Sequence, residues 1–226
     1  MYDNEMVDNT LVRGKSVNKR LFSNFNPGER TNKMGDPTTD IPADGNYLKV
    51  SRADEAVLIK VYGLGNMFLA PTMQSFVESE SSNGFLNFVV DLENCTGMDS
   101  TFMGTFIGLT MMIKRKFGWF CLVNVSDENR RLLKLLGVIS MVSINDGPMP
   151  VFDGQSAILK PTTDPYVRQK QIHGAHRFLM DADPANKERF GAFIQALEEE
   201  LSDIPKIVPP TKKKKENTDN NSTSSV

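Results

Sequence analysis

Between residues 57 and 144 the sequence changes period again and again, and this alternation restricts the chain to few folds. Val57–Val61 is a β-branched run that ends at Gly63 and reads as a buried strand. Phe68–Glu80 carries Phe68, Leu69, Met73, Phe76 and Val77 at helical spacing. Leu86–Leu92 is a second strand, and Ser100–Phe117 is a mostly apolar helix with Phe102, Met103, Phe106, Ile107, Leu109, Thr110 and Ile113. Phe120–Val125 is a third strand. Asn129–Leu136 is a short helix, with Gly137 where a C-cap is expected, and Ile139–Ile144 is a further strand. Ahead of these, Tyr47–Arg52 alternates and is expected to pair with Glu55–Val61 through a hairpin near Ala53–Asp54. Strands alternating with helices predict an α/β fold, with a mixed, largely parallel sheet and flanking helices.

Outside this block the chain changes character. Of 226 residues 39% are hydrophobic, below the usual share of about 45–50% with glycine counted. Polar ends account for the deficit. Residues 1–45 are rich in Asn, Asp, Arg, Lys, Pro and Gly, and cannot bury enough apolar surface to offset their ordering entropy. They are expected to be a disordered N-terminal tail. Residues 205–226 read as a second tail: Pro205, Pro209 and Pro210 stop the preceding helix, and the Lys212–Lys215 run reads as a solvated segment. The domain is therefore expected at 46–145, with a C-terminal helical extension at 146–204. In that extension Asn145–Pro150 is a loop with turn chemistry, and Tyr166–Met180 is a weakly amphipathic helix. Pro184–Leu201 is a stronger one, with Phe190, Phe193, Ile194, Leu197 and Leu201 on one face, Asp183 as N-cap and Pro184 in the first position.

Charge and cysteine content exclude several classes. Lys plus Arg is 26 and Asp plus Glu is 28, giving 26 − 28 = −2, so bulk positive charge for gripping nucleic acid is absent and no direct nucleic-acid partner is expected. The two cysteines, Cys95 and Cys121, form no C-x-x-C, which argues against a disulfide scaffold and a cysteine-based zinc site. No stretch approaches the roughly 18 apolar residues of a membrane span, and the polar Met1–Asn4 leads into no signal-like apolar region. The expectation is a cytoplasmic protein of a reducing compartment.

The most informative segment runs from Phe88 to Gly104: a strand, a short loop, then a helix beginning near Asp99–Ser100. Asp99 can cap that helix with its carboxylate, which puts Ser100 or Thr101 in the first turn beside unsatisfied backbone N–H groups. The positive helix end tolerates anions, so a hydroxyl there can become a phosphate without damage to the fold. The same three residues also suit a plain helix cap. No nucleophile–base–orienter set is found in the sequence, so no enzyme is expected.

The run Val89-Val-Asp-Leu-Glu-Asn-Cys-Thr-Gly-Met-Asp-Ser-Thr101 resembles the signature of STAS domains (sulphate transporter and anti-sigma factor antagonist). There a strand ending in Asp-Leu leads through a short loop to Asp-Ser-Ser-Gly or Asp-Ser-Thr-Gly at a helix start. Gly63-Leu-Gly-Asn-Met-Phe-Leu-Ala70 resembles the family's turn before its first helix, and Gly118–Val125, Ser126–Leu136 and Gly137-Val-Ile139 resemble its return strand, Leu-Leu helix and final strand. The resemblance spans roughly 47–145. It implies a regulatory binding module like the anti-sigma factor antagonists, whose partner is a serine kinase that is itself an anti-sigma factor, with a phosphatase reversing the modification. It implies Ser100 as phosphoacceptor, with Thr101 as the alternative, and a partner surface of Gly65, Asn66, Asp99, Ser100, Thr101 and Phe102. The sequence departs from the family at Phe102, where Gly is usual, and at Asn66, where Asp is frequent. The second function the resemblance allows is an accessory or ligand-sensing subunit of a transporter or lipid-transfer complex.

Weaker signals have plain explanations. Gly63-x-Gly65 lacks the third glycine of a dinucleotide fingerprint and the Lys-Ser/Thr of a P-loop, and reads as a tight strand–helix turn. His173 and His176 are three apart, but no third ligand accompanies them, so both read as exposed helix positions and no metal is expected. No cofactor is implied.

Overall fold

A computed structural model describes residue 42 and residues 45–53, 56–147 and 156–202. The two expected tails lie largely, and the second half of the Asn145–Pro150 loop wholly, outside the described residues. Within them the chain runs β1 (Tyr47–Arg52), β2 (Val57–Gly65), α1 (Leu69–Ser82), β3 (Asn87–Asp91), β4 (Cys95–Met98), α2 (Ser100–Arg115), β5 (Trp119–Val123) and α3 (Asp127–Leu135). A 3₁₀ turn (Val138–Ser140), β6 (Ser143–Asn145), β7 (Ser156–Leu159), α4 (Pro165–Ala182) and α5 (Pro184–Ser202) complete it.

The sheet has the order β6-β5-β3-β2-β1-β7, and β4 pairs with the far end of β2. The pairs β2–β3, β3–β5 and β5–β6 are parallel, while β1 is antiparallel to both β2 and β7. The expected mixed, largely parallel sheet is therefore present, and so is the β1–β2 hairpin. Strand order advances in one direction from β2 to β6, and right-handed crossovers then carry α1, α2 and α3 to the same face. Burial follows the strand period of two. Val57, Ile59, Val61, Phe88, Val90, Phe120 and Leu122 join the helices in one core, while Leu58, Val89, Cys121 and Val123 form a second cluster with Trp119 on the other face.

Three expectations need correction. The loop before Asp99 contains β4, a four-residue strand held by its register on β2 rather than by any apolar pattern of its own. The strand expected over Ile139–Ile144 shrinks to Ser143–Asn145. Gly137, at φ 70°, turns the chain out of α3 into a 3₁₀ turn that buries Val138. The extension is not purely helical either, because β7 returns to β1 and adds an edge strand. Its two helices form within a residue or two of their expected bounds. Pro165 and Pro184 stand at their starts, and Asp164 and Asp183 accept backbone N–H bonds there.

Candidate functional site

The site begins with a cap shared by two helices. Asp99 has extended backbone, and its side chain accepts from the N–H of Phe102 at 2.8 Å, which starts α2 at Ser100. Its second oxygen accepts from Met67 N–H at 2.7 Å, and its own N–H donates to Gly65 carbonyl at 2.9 Å. One carboxylate thus ties the start of α2 to the loop leading into α1. Burial raises the Asp99 carboxyl above its ordinary value, while the bonds from Phe102 and Met67 and the nearby His176 act in the opposite direction. Asn66 fills the equivalent role one loop away: its side-chain oxygen accepts from Phe68 and Leu69 N–H at 3.0 and 3.1 Å.

Ser100 is the first residue of α2 and is half-buried. Its Oγ lies 2.9 Å from His176 Nε2, across 76 residues of sequence. His176 Nδ1 lies 2.8 Å from the Ile172 carbonyl. A carbonyl only accepts, so Nδ1 carries the ring proton, and in the neutral ring Nε2 accepts the Ser100 hydroxyl. The histidine is 4% exposed. Burial lowers its pKa below the usual value, opposed by the Ile172 bond and by Asp99. The rings of Phe190 and Phe193 stand edge-on to it at 4.7 and 5.2 Å. The expectation that His173 and His176 are both exposed is therefore wrong for His176. His173 is partly buried and pairs with Glu198 at 2.7 Å.

The expected site residues gather in one place, yet they do not share one role. The Gly65–Asn66 loop adjoins Asp99–Phe102 through the β2–β4 pairing. Phe102 is fully buried and packs on Phe106, with its ring so close to Gly65 that a Cβ there would lie 2.5 Å from it. The extra bulk at this position thus points into the core instead of toward an approaching partner. Thr101 is also buried, at 4% exposure. Asn66, Asp99 and Ser100 are the partly exposed members.

Sequence reasoning found α4 but missed its placement over this site. A Cβ on Gly104 would meet the Ala175 carbonyl oxygen at 2.3 Å, and one on Gly108 would meet the Phe178 ring at 2.5 Å. Glycines one turn apart on α2 therefore let α4 approach to backbone contact, with His176 directly above Ser100. Gln171 adds a bond from Nε2 to Thr105 Oγ1 at 2.8 Å. Two signals were legible: the four-residue Gly104–Gly108 spacing, and a histidine lying within the Ile172–Ala175–His176–Leu179 stripe.

The STAS domain family model matches residues 47–153. An anti-sigma-B factor antagonist of Staphylococcus aureus (strain NCTC 8325 / PS 47) is 25% identical over 100 residues, which are 44% of this chain and 93% of that protein. Among solved structures, an anti-sigma factor antagonist from Mycobacterium paratuberculosis is 18% identical with a TM-score of 0.40, covering 46% of this chain and 87% of that one. The phosphorylated form of the Bacillus cell fate determinant SpoIIAA is 17% identical with a TM-score of 0.38, covering 44% and 91%. Residues 47–153 of this chain are a STAS domain, distantly similar to anti-sigma factor antagonists.

Proposed function

We propose that the protein is a non-catalytic switch that binds a partner serine kinase of the anti-sigma factor type, and that phosphorylation of Ser100 ends the complex. The observation that carries this reading is the position of the Ser100 hydroxyl, in the first turn of α2 directly after the Asp99 cap. In the modification, the γ-phosphoryl of a nucleoside triphosphate forms a bond to Oγ while its bond to the β-phosphate breaks. The diphosphate leaves, and the hydroxyl proton passes to the kinase's base. The product carries about −1.5 to −2 charge at neutral pH. A partner surface fitted to a neutral hydroxyl would have to desolvate that charge next to the Asp99 carboxylate, which is costly. The α2 backbone start tolerates the phosphate, so the fold persists while the interface fails. Asn66, Asp99 and Ser100 form the docking surface, with Gly65, Thr101 and Phe102 supporting it from beneath.

Turnover by the Ser100–His176 pair is the less favoured chemistry. The third member of the chain is a neutral carbonyl, which supports an imidazolium less well than a carboxylate, and burial already disfavours the protonated ring. The similarity to antagonists, distant as it is, points the same way. We place the protein in the cytoplasm, where a nucleoside triphosphate-dependent kinase works. No described helix is long and apolar enough to cross a membrane.

The test is capture from native cells with full-length Ser100→Ala and Ser100→Asp baits. The alanine form should retain a protein that phosphorylates wild-type chain at Ser100, and the aspartate form should lose it with an unchanged circular dichroism spectrum. Equal retention by both baits, or capture of a transporter or lipid-transfer subunit by both, contradicts the switch.

A further inference from the structure

We infer that α4 and α5 form an intramolecular cover on the α2 face, which withholds Ser100 until the helix pair lifts. The biological meaning rests on the reading of Ser100 as phosphoacceptor; the geometry does not. The family match ends at residue 153, before either helix begins, so the cover is an addition to the STAS domain.

The contact is built at the site itself. His176 takes the Ser100 hydroxyl, while Ala175 and Phe178 on either side of it fill the spaces left by Gly104 and Gly108. Phe190 and Phe193 of α5 back the imidazole from behind. The connecting segment crosses the start of α1 as well. Thr162 N–H donates to Phe68 carbonyl at 2.9 Å, Thr72 Oγ1 donates to Lys160 carbonyl at 3.0 Å, and the Arg168 guanidinium lies 4.8 Å from the Phe68 ring centre. Both helix starts of the proposed docking surface therefore lie under residues of the extension.

The pair is anchored one turn beyond His176 as well. Asn186 is fully buried, and its Nδ2 donates to the carbonyls of Leu136 and Leu179 at 3.0 and 2.8 Å. Near the start of α4, by contrast, Tyr166 and Val167 are 43% and 39% exposed. Exposure thus falls along α4 toward the buried Ala175, His176 and Leu179, where the cover meets Ser100. Phosphorylation would also remove the bond that closes the cover, because a phosphoserine ester oxygen has no hydrogen to donate to Nε2 of the neutral ring.

The test uses thiol accessibility in the full chain, with no kinase present. Ser100→Cys is alkylated with iodoacetamide at about pH 9, near or above the usual cysteine value of about 8.5. The native thiols are internal controls, because Cys95 and Cys121 are buried and burial pushes Cys121 up to about 11. A second protein adds Ala175→Glu and Phe178→Asp to lift α4. Alkylation of residue 100 should be at least tenfold faster in the lifted protein, with the native thiols unreacted and the circular dichroism of the sheet retained. Equal rates would overturn the cover. So would a lifted protein whose native thiols react together with residue 100, since the helix pair would then be part of the core. Because no kinase enters the assay, its result stands apart from whether Ser100 is phosphorylated in cells.

Discussion

Each carboxylate oxygen of Asp99 serves a different helix, one through Phe102 N–H and one through Met67 N–H. The first bond was legible in the sequence because capping is local, reaching only three residues ahead. The second was not, because Met67 lies 32 residues away and only the β2–β4 pairing brings it near. The same holds for His176, whose bond to Ser100 depends on the packing of an entire helix. The double role of Asp99 has a measurable consequence. Asp99→Ala should lose about 0.5–2 kcal/mol for the α2 cap and about 1 kcal/mol more for the stranded Met67 N–H. Asp99→Asn keeps one acceptor oxygen and removes a charge that burial disfavours, so its loss should be about half as large. Urea unfolding of the full chain gives the ranking. An asparagine variant as unstable as the alanine variant would mean that the charge, and not the two acceptors, holds the helices.

Helix α2 is buried on nearly every side from Thr101 to Thr110, because it lies between the sheet and α4. Its sequence already carried this information. Apolar or small residues occupy almost every position from Thr101 to Ile113, and a helix apolar all round needs cover on both faces. The identity of the second cover was illegible, since a weakly patterned α4 announces no partner. Glycine substitutions separate the packing role from the helix cost. Gly174 in α4 has open space around its missing Cβ, so Gly174→Ala should stabilise the protein by up to about 1 kcal/mol through helix propensity. Gly104→Ala drives its Cβ into the Ala175 carbonyl, a backbone atom that cannot rotate away. Overpacking of about 1–3 kcal/mol should outweigh the same propensity gain. Thermal unfolding of the two variants should therefore move in opposite directions. A Gly104→Ala protein stabilised like Gly174→Ala would show that the close α2–α4 contact is not needed.

At the scale of the whole molecule, the alternating block between Val57 and Leu136 was readable because each of its long elements has its own period. The short elements were not. Residues Cys95–Met98 and Ser156–Leu159 are four-residue strands whose existence depends on a neighbour's register, on β2 and β1 respectively. The extension was recognised as two helices, but its placement across the STAS domain is a tertiary fact. On the reading proposed above, that placement gives the switch a built-in competitor for its own surface. The proposed switch depends on one chemical event, and phosphopeptide mapping of the full chain isolated from its native cells measures it directly. A single phosphate on Ser100, with Thr101 unmodified, is the expected result. A chain that never carries phosphate at Ser100 while its bound partner still comes and goes would contradict the account.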